Sequence, residues 1–164
     1  MSIHVVTGAT GLVGSAVILE LLRQTDVEVI GIVRSHTRPV GERLYAALEN
    51  AQRAYGYEDG VLRAARKRCH AVAGDVTASL CGTTGALPKR VDQFWHCAAS
   101  LQYEDRYKHE IYATNLTGTL NALELARRLN VSDCFNYDST AYVAGGRTGL
   151  IREQVAVHGG VQPG

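Results

Sequence analysis

The sequence predicts an α/β fold: a doubly wound parallel sheet with strand order 3-2-1-4-5. Three observations carry this. Short β-branched runs alternate with longer stretches whose apolar residues recur at helical spacing, the pattern of right-handed βαβ crossovers. The first strand-like run leads straight into glycines at positions 8, 11 and 14, a strand–turn–helix junction. A length of 164 residues is that of one domain, which buries about 70% of its unfolded surface and needs no disulfide or metal to stay folded.

Each element has its own signal. Ile3–Val6 reads as the first strand. From Leu12 a helix follows, with Val13, Ala16, Val17 and Leu21 on its expected inner face. Asp26 closes that helix, and Val27–Val33 is a buried strand. Pro39 opens a second helix with Leu44, Leu48 and Ala51 on one face, continuing irregularly to Lys67. Ala71–Ala73 makes a short third strand, ended by Gly74 and Asp75. A Gly/Thr-rich loop, GTTGALP, leads to the fourth strand, Asp92–Cys97. Tyr107–Leu129 is the clearest helix, its stripe Ile111, Leu116, Leu120 and Leu123. Cys134–Tyr137 is the fifth strand. After about Gly145 the pattern fades into a polar, Gly-rich tail, so the sheet is expected to be truncated after its fifth strand.

Composition excludes several classes. The formal net charge is +1 and the basic residues are scattered, which argues against a nucleic-acid or anionic-membrane surface. No apolar run is long enough to span a bilayer. The N-terminus runs directly into IHVVTG without a basic leader, so no signal peptide is expected and the location predicted is cytoplasmic. Cys69, Cys81, Cys97 and Cys134 show no CxxC or zinc-finger spacing. They read as free, reduced, buried thiols, and no metal site is expected.

Gly8, Gly11 and Gly14 sit between strand and helix, where glycines permit a tight turn and let backbone approach a pyrophosphate resting on the helix N-terminus. The alternative is a glycine-rich turn with no ligand. Twenty residues beyond Gly14, where an NAD-binding domain commonly places Asp or Glu, stands Arg34, with Arg38 and Arg43 nearby. A guanidinium there favours the 2′-phosphate of NADP over NAD; the alternative is a solvated surface arginine.

These motifs together resemble the extended short-chain dehydrogenase/reductases, and within them the thioester-reductase and fatty acyl-CoA reductase-like branch. The resemblance runs from residue 2 to about residue 153. TGATGLVG is similar to that family's TGxxGxxG loop, which implies that Thr7, Gly8, Thr10, Gly11, Leu12, Val13 and Gly14 line the pyrophosphate, Leu12 and Val13 through backbone amides. IVRS followed by GERL resembles the branch's VR…RL pattern, implying that Arg34 and Arg43 bind the 2′-phosphate. Gly74-Asp75-Val76 looks like the stretch whose Asp meets the adenine amino group. His96-Cys97-Ala98-Ala99 matches the HxAA segment beside the ribose and nicotinamide. Asn115 with Gly118 and Thr119 resembles the NxxGT helix, where the Asn supports the strand and a neighbouring water network. Asp138 to Gly145 resembles the ST stretch after the fifth strand, implying that Thr140 hydrogen-bonds the substrate carbonyl. From spacing alone Thr140 reads equally as a strand-end cap. The resemblance implies a Rossmann domain over residues 1–164, without the C-terminal substrate-binding portion, in an NADPH-dependent oxidoreductase. Its substrate would be a small-molecule or carrier-bound acyl thioester, or an aldehyde or ketone. Dimers of the family use the long fourth and fifth helices; only the fourth is present, which leaves a homo-oligomer open.

One departure is central. The family's acid is Tyr-x-x-x-Lys, a tyrosine whose pKa is lowered by a lysine one turn on. None of the eight tyrosines here has a lysine four residues later, and the last lysine is Lys108. Asp138 and Tyr142 are candidate substitutes; Asp138 reads also as a hydrogen-bonded strand end, and Tyr142, with no lysine nearby, would stay near pKa 10. Two readings follow: a reductase completed by residues absent from this sequence, or a non-catalytic NADP-binding sensor or partner-binding module.

Overall fold

The computed structural model describes residues 2–83, 87–140, 145–146 and 148–152. Five strands form one parallel sheet: β1 (Ile3–Thr7), β2 (Glu28–Val33), β3 (Cys69–Ala73), β4 (Gln93–His96) and β5 (Cys134–Tyr137). Their order is β3-β2-β1-β4-β5, the doubly wound Rossmann arrangement. β1 lies at the centre, with Val5 against Ile30 on one side and Phe94 on the other. The order reverses between β1 and β4, and in an open sheet that switch point opens the ligand crevice at the strands' carboxyl ends.

Helices α1 (Leu12–Gln24), α2 (Val40–Tyr55) and α3 (Asp59–Arg68) enclose one core, built on Val6, Ile18, Leu19, Val29, Val33, Leu44 and Leu48. A second core holds Val5, Ile32, Val91, Phe94, Ala122 and Leu125. Val5 and Val6 are both fully buried, which is why β1 carries no alternation of polar and apolar residues. Phe94, also fully buried, stacks on Phe135 with centroids 5.3 Å apart and planes 12° apart; its burial contributes about 1.5–3 kcal/mol.

Three expectations are corrected. The long second helix is two helices. Gly56 adopts a left-handed backbone (φ 69°) and the Tyr57 amide turns back to the Gln52 carbonyl at 3.1 Å, a helix C-cap that ends α2. In α1 the buried residues are Gly14, Ser15, Ile18, Leu19 and Leu22, not the Val13 face. The close contact of Gly14 with the loop, described below, fixes the helix's rotation, and the larger apolar side chains follow it.

The third correction concerns the helix from Lys108. It comprises α4 (Lys108–Ile111), a π-helical turn (Tyr112–Thr117) and α5 (Gly118–Arg128). The wide turn shifts the helical phase, so α5 buries Gly118, Ala122, Leu125 and Ala126. The expected stripe faces outward, with Leu116 55% and Leu120 59% exposed. Small residues face inward because the approach is close: a Cβ on Gly118 would sit 3.0 Å from Cγ2 of Val76, in the loop after β3. Among the described residues no helix is long and apolar enough to cross a membrane.

Candidate dinucleotide-binding cleft

Thr7 ends β1 fully buried, and the chain then turns at Gly8 with φ +66°. A Cβ on Gly8 would lie 2.7 Å from the backbone of Cys97 and Ala98; one on Gly14 would lie 2.3 Å from the Gly8 carbonyl oxygen. No side chain fits at either point. The Gly11 amide donates to Gly8 O at 2.8 Å and the Ser15 amide to Gly11 O at 3.0 Å. Gly11 is therefore the N-cap of α1, and the amides of Leu12, Val13 and Gly14 precede the first helical hydrogen bond. Three unpaired N–H groups at the positive end of a thirteen-residue helix suit a diphosphate.

Along the carboxyl edge of the sheet lie three adjoining cavities, the middle one lined by the glycine loop. One, about 630 Å³, lies outside β2 and β3 and is lined by Arg34, His36, Arg43, Gly74 and Asp75. The next, about 370 Å³, is lined by Gly8, Thr10, Gly11, Arg34, Asp75, Val76 and Cys97 through Ser100. The last, about 920 Å³, is bordered by Ala98 to Tyr103, Asn115, Tyr137, Asp138 and Thr140. Shared residues join them into a single track across the sheet's carboxyl edge, from Arg34 past the glycine loop to Thr140. The glycine cradle and the free amides fit a dinucleotide laid along that track, its diphosphate at α1.

The predicted residues take distinct places on it. Arg34 is exposed just beyond β2, and the Arg43 guanidinium, reaching in from α2, donates to the Arg34 carbonyl. Both cations thus edge the outer cavity. Asp75 Oδ1 accepts from the Thr77 amide (2.9 Å) and hydroxyl (2.8 Å), which fixes the carboxylate. Val76 is buried against Gly118. Cys97 is half-buried, its thiol pushed up to about 11 by burial and by the neighbouring Asp138 charge, which leaves it inert at neutral pH. Asn115 lies in the π-turn and clamps one peptide unit: the Ser100 amide donates to Oδ1 at 2.7 Å and Nδ2 donates to Ser100 O at 3.0 Å. A π-turn inside an α-helix commonly marks a functional site. Here it places Asn115 on the loop after β4. Asp138 is exposed and its amide donates to His96 O at 3.1 Å. Tyr142 lies outside the described residues.

Sequence reasoning missed Ser100, His36 and Glu110, all on the track. Ser100 directly follows the matched HCAA segment, and its hydroxyl donates to Glu110 at 3.3 Å. His36, two residues past Arg34, had only its place in the loop as a signal. The cysteines are free, as expected, but Cys134 is exposed on β5 rather than buried; it stands at the sheet's outer strand. Among the described residues no group of three or more His, Cys, Asp or Glu could hold a metal ion.

Comparison with known proteins gives a consistent picture. The terminal R domain of the myxalamid PKS-NRPS biosynthetic pathway superposes with a TM-score of 0.75 at 30% identity, over 93% of this chain and 38% of that one. The nonribosomal peptide synthetase asaC of Aspergillus flavus is 32% identical over 146 residues, 85% of this chain and 13% of its own length. A putative fatty acyl-CoA reductase of Drosophila melanogaster is 38% identical over 69 residues, 42% of this chain and 12% of its own length. The chain thus spans about an eighth of these two curated relatives. The NAD-binding family model described as Male sterility protein matches residues 6–160. With its glycine cradle and reversed strand order accounted for, the chain belongs to this family of NAD(P)-dependent reductases, the thioester-reductase and fatty acyl-CoA reductase-like branch of the extended short-chain dehydrogenase/reductases.

Proposed function

We propose that the chain binds NADPH along the cleft and serves the reduction of an acyl thioester or of an aldehyde or ketone carbonyl. The observation that carries the cofactor choice is the pair of guanidiniums, Arg34 and Arg43, at the cavity beyond β2. Two permanently charged guanidiniums suit a 2′-phosphate, and no carboxylate stands at the end of β2 to hold a ribose diol. The amides of Leu12 and Val13 would take the diphosphate, Asp75 the adenine amino group, and the Ala98–Ser100 segment the nicotinamide side. Bound there, the cofactor supplies a hydride. Thr140 borders the widest part of the track and would donate to the substrate carbonyl oxygen as charge develops on it. Relatives named for fatty acyl-CoA and for nonribosomal peptide synthesis both suggest a thioester, small or carrier-bound.

Collapse of a reduced thioester to an aldehyde and a thiol also consumes a proton. The sequence holds no Tyr-x-x-x-Lys to deliver it, and this favours a second reading for these residues taken alone: a module that binds NADP without turnover. Nicotinamide fluorescence titration separates the readings from each other and from failure. NADPH should bind at least about tenfold more tightly than NADH, and Arg34→Ala or Arg43→Ala should erase the difference, the loss of one charge-assisted contact. Equal affinity for the two nucleotides overturns the NADP assignment. Consumption of NADPH with a long-chain acyl-CoA identifies the reductase; tight binding without consumption identifies the module.

A further inference from the structure

The glycine loop and the Asn115 clamp are joined by a buried side chain to which the cofactor contacts above give no role. His96 ends β4 and is 1% exposed. Its Nδ1 lies 2.7 Å from Thr7 Oγ1 and its Nε2 lies 3.1 Å from Thr119 Oγ1. The Thr119 hydroxyl already donates its proton to the Asn115 carbonyl at 2.7 Å. It has only lone pairs left for the imidazole, so the ring carries its proton on Nε2 and Nδ1 accepts from the Thr7 hydroxyl. The chain therefore has one direction: Thr7 to His96, His96 to Thr119, Thr119 to Asn115. Both ends are in the cleft. Thr7 is bonded to Gly8, and Asn115 grips the Ser100 peptide.

We propose that His96 is a positioning residue: neutral, with its proton on Nε2, it sets the Gly8 turn against the Ser100 segment, so that both ends of a bound dinucleotide meet a single rigid cleft. The inference rests on the dinucleotide reading of that cleft. Imidazole fits the task because it donates at one edge and accepts at the other, spanning β1 to α5 through the sheet's interior. The groups facing it are Thr7 from β1, Thr119 from α5, and the rings of Phe135 and Tyr137 from β5, at 6.2 and 5.7 Å. Tyr137 is the titratable one among them. Burial lowers the imidazole's proton affinity. A proton added at Nδ1 would point at Thr7 Oγ1 and force that hydroxyl to turn its own proton away, inside a site with no water contact. The chain then loses its direction, and the loop its tie to the clamp.

The test is an NMR titration of the chain from pH 8 to pH 5, following the His96 ring nitrogens and the backbone amides of Gly8 and Ser100, with dinucleotide affinity measured across the same range. NADH is used beside NADPH because it has no 2′-phosphate to titrate. The expected result is a neutral ring protonated on Nε2 at pH 7.5, with both amides shifting at the imidazole's own midpoint, below 6.5. Affinity should fall about threefold to tenfold through that midpoint, the scale of one hydrogen bond. Thr119→Val should uncouple Ser100 from the imidazole and Thr119→Ser should retain the coupling; neither replaces the buried ring, so both should fold. A proton on Nδ1, or Gly8 and Ser100 amides indifferent to His96, overturns the proposal. Coupled amides in a protein that binds neither nucleotide would overturn the cofactor reading and uphold the linkage.

Discussion

Gly14→Ala is the sharpest test of the loop. The added Cβ would sit 2.3 Å from Gly8 O, 2.8 Å from Gly8 C and 3.2 Å from Ala9 Cα. All three are backbone atoms, so no rotamer change relieves them. The first contact is roughly 1 Å short of ordinary van der Waals distance, and Gly8 cannot retreat because its own Cβ position faces the Cys97 and Ala98 backbone at 2.7 Å. The start of α1 must therefore swing away from the loop. Overpacking against backbone that cannot yield costs about 2–3 kcal/mol, the upper part of the usual range, offset by about 1 kcal/mol of better helix propensity. The net loss of about 1–2 kcal/mol should lower Tm by about 2–8 °C. Nucleotide affinity should fall further, about tenfold to a hundredfold, because displaced Leu12 and Val13 amides forfeit at least one hydrogen bond to a charged phosphate. Gly41→Ala is the control: nothing lies within 4 Å of its Cβ position in α2, so it should hold or raise Tm and leave affinity unchanged. The assays are thermal unfolding by circular dichroism and nicotinamide fluorescence titration. A Gly14→Ala protein with the parent's Tm and an affinity within about twofold of it would refute the argument.

Two further outcomes follow from the titratable groups. Burial holds His4 and His96 below their ordinary value of 6.5. The unfolded chain then binds more protons than the folded one once the pH drops through 6.5, so stability should be level above that value and decline from it down to the folded pKa values. Urea midpoints measured from pH 8 to pH 5 check this; a midpoint that rises on acidification contradicts it. Burial also pushes the Cys69 and Cys81 thiols up to about 12, while Cys134 is exposed. An aromatic disulfide reagent at pH 8 should therefore label Cys134 rapidly in the native protein, and Cys134→Ser should remove the fast phase.

The strands were legible because each is a short β-branched or aromatic run between breakers, and the glycine triplet fixed which helix follows which strand. Helix phase was not legible. In α5 the stripe of large apolar residues points to the wrong face, and in α1 the apolar residues divide between two faces, of which the one with Ile18, Leu19 and Leu22 is buried; one physical reason decides both. Where a helix must approach a neighbouring segment closely, the inner positions go to glycine, alanine and serine. Gly14 against Gly8 O and Gly118 against Val76 are such positions. Leu116, Leu120 and Leu123 are then left outside. A hydrophobicity count ranks these leucines above Gly118 and Ala122 and so inverts the helix.

The site divides along a similar line. Residues whose work is done by backbone, such as the glycines with Leu12 and Val13, are fixed by spacing, since only glycine tolerates the turn and only a helix start leaves amides free. The charged residues Arg34 and Asp75 could be read from their places at strand ends. What spacing does not carry is the network. Thr7, His96 and Thr119 are distant in sequence, and although each falls within one of the matched motifs, nothing in their spacing joins them. A buried hydroxyl or imidazole must find partners, and the parallel register that sets Thr7 beside His96 supplies them. The register follows from the fold, which follows from the glycine loop and the β1–β4 crossover. The chain of hydrogen bonds from the loop to Asn115 is thus a consequence of the same motif that was visible first, reached only through the sheet.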